Sequence, residues 1–160
     1  MKNKHLSVLG VGPIYVATIL IVTVIVVVLH VNGKLPTYEF STPLLPTLVG
    51  MVLIMIGIVL WISAVVFSKL FAKIKSNALV TNGVFAYVRN PIYSAFMFIC
   101  TGVIFSMNNM LLLIIPLLYW AFLTLLLIHT EEKWLLNLYK HQYEDYCKKV
   151  NRCIPFFQRR

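Results

Sequence analysis

The sequence predicts an all-α integral membrane protein with four transmembrane helices, the last two forming a helical hairpin, and a C-terminal amphipathic interfacial helix. Of the 160 residues, 60% are hydrophobic and 12% are charged, and the mean hydropathy is +0.86. Soluble domains rarely have this composition, whereas integral membrane proteins commonly do. Four apolar runs are separated by polar connectors, and basic residues cluster beside alternate ends of these runs. We therefore expect one membrane domain over residues 1–160.

The apolar runs give the predicted spans as residues 11–31, 44–67, 91–105 and 110–128. A helix needs about 20 residues to cross a bilayer, so the third run is short for a full span and could instead be re-entrant. The first run is too long for the apolar core of a signal peptide and is followed by no small-residue cleavage site. The polar turn 106–109 makes spans three and four a hairpin.

Charge placement predicts the orientation. On one side of a four-span arrangement lie nearly all the basic residues outside the spans, and the other side has Lys34 alone. Those that precede the tail on the basic side are Lys2, Lys4, Lys69, Lys73, Lys75 and Arg89. The positive-inside rule then places both termini and the 68–89 connector in the cytoplasm, with the plasma membrane as the expected location. The net charge of +9 is explained by these flanks, and we expect no nucleic-acid partner.

The C-terminal tail predicts one amphipathic helix over residues 131–150, packed on the membrane surface or over the connector. Its apolar face comprises Leu135, Leu138, Tyr139, Tyr143, Tyr146, Cys147 and Val150. Its polar face comprises Glu132, Lys133, Lys140, Glu144, Asp145, Lys148 and Lys149. Residues 154–157 would close the chain with an apolar anchor. The three cysteines follow no spacing typical of a metal site or a disulfide framework, so no metal is predicted.

The stretch from Asn77 to Tyr93 carries more special-geometry residues than a membrane connector needs. Asn82-Gly83 predicts a turn. Asn90 suits the N-cap and Pro91 the first turn of the next helix. The positive helix end beside Arg89 could bind a carboxylate or phosphate; the alternative is an ordinary capped loop.

Two adjacent carboxylates, Glu131 and Glu132, directly follow span four. Such a pair can hold a cation or accept hydrogen bonds from sugar hydroxyls. The alternative is the solvated start of the tail helix, where acidic residues are favoured. His129, just before the pair, could carry a proton or bind a ligand, or could simply be an interfacial polar residue.

Together these pieces resemble a family. The pattern L-V-x-x-G-x-[YF]-x-x-x-R-[HN]-P-x-Y, a hairpin, E-E, then Y-x-x-Y-x-x-x-V-x-x-x-x-P is similar to isoprenylcysteine carboxyl methyltransferases and the related phospholipid methyltransferases. The resemblance covers residues 77–157, about half of the chain. The matching residues are Leu79, Val80, Gly83, Phe85, Arg89, Asn90, Pro91, Tyr93, Glu131, Glu132, Tyr143, Tyr146, Val150 and Pro155.

The resemblance implies a membrane methyltransferase that uses S-adenosyl-L-methionine and takes a lipophilic or prenylated acceptor from the bilayer. The implied cofactor-binding residues are Asn77, Ala78, Leu79, Val80, Gly83, Phe85, Asn90, Pro91, Ile92, Tyr93 and Glu131. The catalytic candidates are Arg89, Glu132 and His129. A carboxylate acceptor needs no base; an amine, thiol or hydroxyl acceptor would need one, for which His129 or Glu132 are candidates.

The acceptor and the class of protein keep alternatives at this stage. Eukaryotic members have an arginine just before the glutamates, whereas this chain has Leu125 to His129 without one. An isoprenylcysteine-like carboxylate and another lipid-like acceptor are therefore both open, as is the oligomeric state. A non-catalytic four-span scaffold is the main alternative. A small multidrug exporter is less consistent, because proton-coupled exporters need a carboxylate within a span.

Overall fold

The computed structural model describes residues 10–67 and 79–155. Several residues named above lie outside the described part of the chain: Lys2, Lys4, Lys69, Lys73, Lys75, Asn77, Ala78, Phe156 and Phe157.

Four apolar helices follow the four predicted runs closely. They are α1 (Gly12–Val31), α2 (Leu44–Ile62, continued by a π-helical turn over Ser63–Phe67), α3 (Pro91–Ser106) and α4 (Ile114–His129, preceded by a 3₁₀ turn over Met110–Leu113). Within the described residues, three apolar segments are long enough to cross a membrane: Gly12–Val31, Leu44–Val66 and Met110–Tyr139. With 16 residues, α3 is about 24 Å long, below the roughly 30 Å of a hydrocarbon core. The fourth crossing therefore stays a prediction.

Hydrogen bonds at the two ends of the bundle show that the helices alternate in direction. At one end, the loop after α1 is fastened to the turn after α3, because Met110 N–H donates to the Tyr38 carbonyl at 2.8 Å. The buried Asn109 side chain donates to the Pro36 carbonyl at 3.1 Å. At the other end, Val11 N–H donates to the Glu131 carboxylate. The start of α1 and the end of α4 therefore meet there.

Glycines allow α2 and α3 to pack with their backbones in close approach. A Cβ on Gly50 would lie 2.5 Å from the Gly102 carbonyl oxygen, and one on Gly57 would lie 2.7 Å from that of Ala95. Small residues serve this purpose in membrane helix pairs. The core between α1, α3 and α4 contains the buried Tyr15 and Leu123, and Cys153 from the tail joins it.

The tail differs from its prediction as one helix. It forms α5 (Glu131–Tyr139) and α6 (His141–Lys149), which are separated by Lys140 at φ 48° and ψ −126°. The break redirects the chain so that α6 packs over the connector, where the Tyr146 hydroxyl donates to the Phe85 carbonyl at 2.5 Å. The predicted packing over the connector is therefore present, and a location at the membrane surface stays a prediction.

The predicted faces of the tail hold with one exception. Tyr143, Tyr146 and Val150 are buried together, while the predicted polar residues other than Glu132 are exposed. Placing Glu132 on the polar face was wrong, because its side chain is 13% exposed and ion-paired inside the protein. The helical pattern alone does not show that two arginines lie within its reach.

Candidate active site

Glu131 is the point where three parts of the chain meet. It is the first residue of α5, and its Oε1 accepts a 2.7 Å hydrogen bond from the Tyr93 hydroxyl on α3. The same oxygen accepts a 2.8 Å hydrogen bond from Val11 N–H at the start of α1. A carboxylate offers about four acceptor positions, so these two bonds orient Glu131 and leave capacity for a ligand.

Beside it lies an ion cluster made of Glu132, Arg89 and Arg152. Arg152 donates to both carboxylate oxygens of Glu132, with Nε 2.6 Å from Oε1 and Nη2 3.0 Å from Oε2. Arg89 Nη2 lies 3.2 Å from Oε1. The hydrogen bond to Glu132 raises the pKa of Arg152. Two guanidinium groups face one carboxylate, which leaves this trio with one surplus positive charge.

Arg89 is held more tightly than the sequence suggested. Its side chain is 7% exposed, its guanidinium lies 5.9 Å from the centre of the Tyr143 ring, and Nη1 also contacts Cys147 Sγ. Arg89 therefore belongs to a built cluster, and the expectation that an anion binds at the helix end beside it stays a prediction. Its buried Nε has no hydrogen-bond partner among the described residues. Burial raises the pKa of the Tyr143 hydroxyl, which favours its neutral form.

The connector residues form one wall against the tail. Gly83 has φ +64°, so Asn82-Gly83 makes the predicted turn. Val80 and Phe85 are buried, and Leu79 packs against the Tyr143 cluster. The contacts of Leu79 and of the Phe85 carbonyl with α6 hold the connector beside the ion cluster.

At the start of α3 the predicted Pro91 lies in the first turn. Asn90 occupies the predicted N-cap position, although its side chain makes no capping hydrogen bond. The Asn90 amide instead donates to the Arg152 carbonyl at 3.0 Å, because the tail passes close to this helix end. Ile92 is half-buried in the same turn.

His129 lies at the end of α4, exposed, with Nδ1 2.8 Å from the Leu125 carbonyl oxygen one turn earlier. The carbonyl can only accept, so we assign the Nδ1 proton to this bond. The other ring nitrogen remains the one that could exchange a proton.

The structure thus brings together Tyr93 with Glu131, and Arg89 with Glu132, as neighbouring pairs at one end of the bundle. Sequence reasoning missed Arg152 and Val11. Arg152 follows Glu132 by 20 residues across the break at Lys140, a separation at which no helical pattern relates two positions. Val11 acts through its backbone, so its side chain carries no signal.

The fold and site define a class: a helical protein with membrane-length helices and a buried carboxylate–arginine site at one end of the bundle. The chain belongs to the phospholipid methyltransferase family, whose family model matches residues 45–142. That range contains Arg89, Tyr93, Glu131 and Glu132.

Curated relatives point the same way. The chain is 38% identical over 82 residues to protein-S-isoprenylcysteine O-methyltransferase of Schizosaccharomyces pombe, a match over 51% of this chain and 34% of the relative. It is 29% identical over 118 residues to the probable enzyme of that name from Oryza sativa subsp. indica, over 69% of this chain and 61% of the relative. The Tribolium castaneum protein-S-isoprenylcysteine O-methyltransferase is 33% identical over 87 residues, over 54% of this chain and 31% of that protein.

The chain therefore spans about a third to three fifths of the length of these relatives. No solved structure matches it.

Proposed function

We propose that this protein is a membrane-embedded methyltransferase that uses S-adenosyl-L-methionine and methylates a carboxylate on a lipophilic acceptor. The observation that carries the proposal is the oriented Glu131–Tyr93 pair directly beside a buried ion cluster with surplus positive charge. Both lie mainly within the family-matched range, and the relatives' names describe O-methylation of isoprenylcysteine.

The residues present fit the methyl donor. The donor carries an ammonium and a carboxylate, and when bound it supplies an electrophilic methyl group. Glu131 is an oriented anion for the ammonium, and the Arg89–Arg152 surplus supplies attraction for the carboxylate. Leu79, Val80, Phe85 and Ile92 would form the apolar wall, and Gly83, Asn90 and Pro91 would complete the described part of the pocket.

Among acceptors, a carboxylate fits this site best because it needs no base. Glu132 already receives hydrogen bonds on both oxygens, which engages it as a structural anion and leaves it poorly placed to take a proton. His129 bonds the Leu125 carbonyl of its own helix through Nδ1, which leaves Nε2 as its one candidate proton acceptor, and the residue is exposed at the end of α4 rather than part of the buried ion cluster. The residues then have to align the acceptor and exclude water, which supplies much of the rate enhancement in a displacement reaction.

The names of the relatives describe O-methylation of isoprenylcysteine, so we propose an isoprenylcysteine-like carboxylate that enters from the bilayer. In this proposal α3 crosses the membrane as the third of four spans, the tail lies at the interface, and the site faces the cytoplasm from the plasma membrane. The positive-inside pattern supports that orientation.

Binding of S-adenosylhomocysteine to the detergent-purified full chain, measured by calorimetry, tests the donor site. We expect saturable binding that weakens at least tenfold in Glu131→Gln, since loss of a charged hydrogen bond costs about 1.5–3 kcal/mol. Glu144→Gln is the matched control, because Glu144 is exposed on α6 and pairs only with the exposed His141 among the described residues. Absent binding by the folded wild type, or equal affinity in both variants, would overturn the proposal.

Transfer of labelled methyl groups in the same preparation tests the acceptor. N-acetyl-S-farnesylcysteine should become labelled as a methyl ester, which alkali hydrolyses to volatile methanol. Phosphatidylethanolamine should stay unlabelled. The reverse result would keep the methyltransferase and refute the carboxylate acceptor.

A further inference from the structure

The start of α1 lies directly against the Glu131–Tyr93 pair. Val11 N–H donates a hydrogen bond to Glu131. Val11 is flanked by Gly10 and Gly12, and at both positions a side chain would collide with Glu131 or Tyr93. A Cβ on Gly10 would lie 2.0 Å from Glu131 Oε1, and one on Gly12 would lie 2.4 Å from Tyr93 Cε1. Gly10 also has φ +47°, a conformation that other residues rarely adopt.

This approach is fixed by the rest of α1. Tyr15 and Ile19 are 0% and 1% exposed in the core shared with α3 and α4. One turn further, the Thr23 and Tyr119 hydroxyls lie 2.8 Å apart in the same interior. The buried residues of α1 all lie between Gly12 and Thr23, so the part of the helix that adjoins Glu131 and Tyr93 is the part packed into the bundle.

The segment also lies outside residues 45–142, which the family model matches. Tyr93 and Glu131 therefore belong to the part of the chain that matches the family model. The start of α1, which contacts both residues, does not. Two donors on Oε1 restrict the carboxylate to one orientation.

We propose that Gly10 and Gly12 are positioning residues: they let α1 begin in contact with Glu131 and Tyr93, and so hold the carboxylate in the orientation that receives the ammonium of the methyl donor. The inference rests on the proposed function. In this proposal neither glycine is itself a ligand of the donor. Each acts through the carboxylate or the phenol, by allowing Val11 N–H to approach.

Gly12→Ala is the direct test, with Gly102→Ala as a matched control. Both substitutions add a methyl group to a tight contact: 2.4 Å from the Tyr93 ring for Gly12, and 2.5 Å from the Gly50 carbonyl oxygen for Gly102. The Gly102 contact is with backbone and the Gly12 contact is with a side chain, so Gly102→Ala should lose at least as much thermal stability as Gly12→Ala. We expect S-adenosylhomocysteine affinity to fall tenfold or more in Gly12→Ala and to stay within threefold of wild type in folded Gly102→Ala.

Equal affinity in folded Gly12→Ala and wild type would overturn the inference and leave the proposed function standing. Absence of binding by wild type would instead overturn the proposed function. An affinity loss of the same size in Gly102→Ala would show that only general packing matters, and would also overturn the inference.

Hydrogen exchange supplies a readout that needs no cofactor and no folded glycine variant. The Val11 amide should be protected in wild type and should exchange at least tenfold faster in Glu131→Ala, which deletes its acceptor. Unchanged exchange in Glu131→Ala would show that the start of α1 is not coupled to the carboxylate, and would overturn the inference.

Discussion

Tyr93 and Glu131 join the start of α3 to the start of α5 through a 2.7 Å hydrogen bond from the phenol to the carboxylate. The two residues are 38 positions apart in sequence, with the whole α3–α4 hairpin between them. The bond therefore closes the hairpin at the end where the ion cluster lies. A single hydroxyl thus links the R-N-P-x-Y segment of this chain to its glutamate pair.

Tyr93→Phe removes that hydroxyl and keeps the ring. We expect S-adenosylhomocysteine affinity to fall about tenfold, because a hydrogen bond to a charged group contributes about 1.5–3 kcal/mol. Calorimetry on the purified protein measures the change. Tyr38→Phe, at the opposite end of the bundle and exposed, is the control and should bind normally. Wild-type affinity in Tyr93→Phe would show that the hydrogen bond from the phenol does not contribute to ligand binding by Glu131.

Arg152→Ala should destabilise the fold by about 1–3 kcal/mol, because it deprives a largely buried carboxylate of a two-point partner. Arg152→Lys should lose an intermediate amount, since an ammonium cannot reproduce the paired guanidinium bonds. Thermal unfolding in detergent measures both. Lys148→Ala breaks an ion pair that is exposed on both sides and should leave the melting temperature unchanged. If Arg152→Ala and Lys148→Ala have the same melting temperature, the ion cluster contributes nothing to stability.

Lys140→Gly should stabilise the protein by about 1 kcal/mol. Lys140 holds φ 48° with ψ −126° between α5 and α6, a region that glycine occupies at little cost and other residues do not. Lys133→Gly, an exposed position inside α5, should instead destabilise by about 1 kcal/mol. The two melting temperatures should shift in opposite directions. A decrease for both would mean that the turn carries no strain that glycine relieves.

The boundaries of α1 to α4 could be predicted because long apolar runs between polar connectors determine them almost alone. The tail shows the limit of predicting helix boundaries from the sequence pattern. Its spacing of apolar residues correctly predicted that Tyr143, Tyr146 and Val150 face inward. The same spacing could not reveal the break at Lys140. That break comes from the tertiary fit of α6 over Phe85, and lysine is not a residue that marks a turn.

The site shows the same limit. Resemblance to the family selected Arg89, Tyr93, Glu131 and Glu132, which the structure brings together in pairs. It could not assign Glu132 to Arg152, because an ion pair across 20 residues depends on the path of the tail. The role of Val11 could not be found either, since it is made by a backbone N–H that every residue except proline has.

Alkaline pH should destabilise the protein through Cys153. This thiol is 2% exposed, and burial raises its pKa from 9.0 to about 11. Below pH 9 both folded and unfolded thiols keep their protons, and the full stability is present. As the pH rises from 9 towards 11, the unfolded chain loses this proton first, so the free energy of unfolding falls, by about 1.4 kcal/mol at pH 10. Between pH 8 and 10 the melting temperature of wild type should therefore decrease more steeply than that of Cys153→Ala.

The comparison stays below pH 10 because the buried Tyr143 and Tyr146, whose pKa values are also raised by burial, destabilise the protein in the same direction above that pH. Cys147→Ala should retain most of the wild-type slope, since Cys147 is only half-buried. Parallel curves for wild type and Cys153→Ala would show that the tail thiol titrates alike in both states, and that the tail does not pack into the core between α1 and α4.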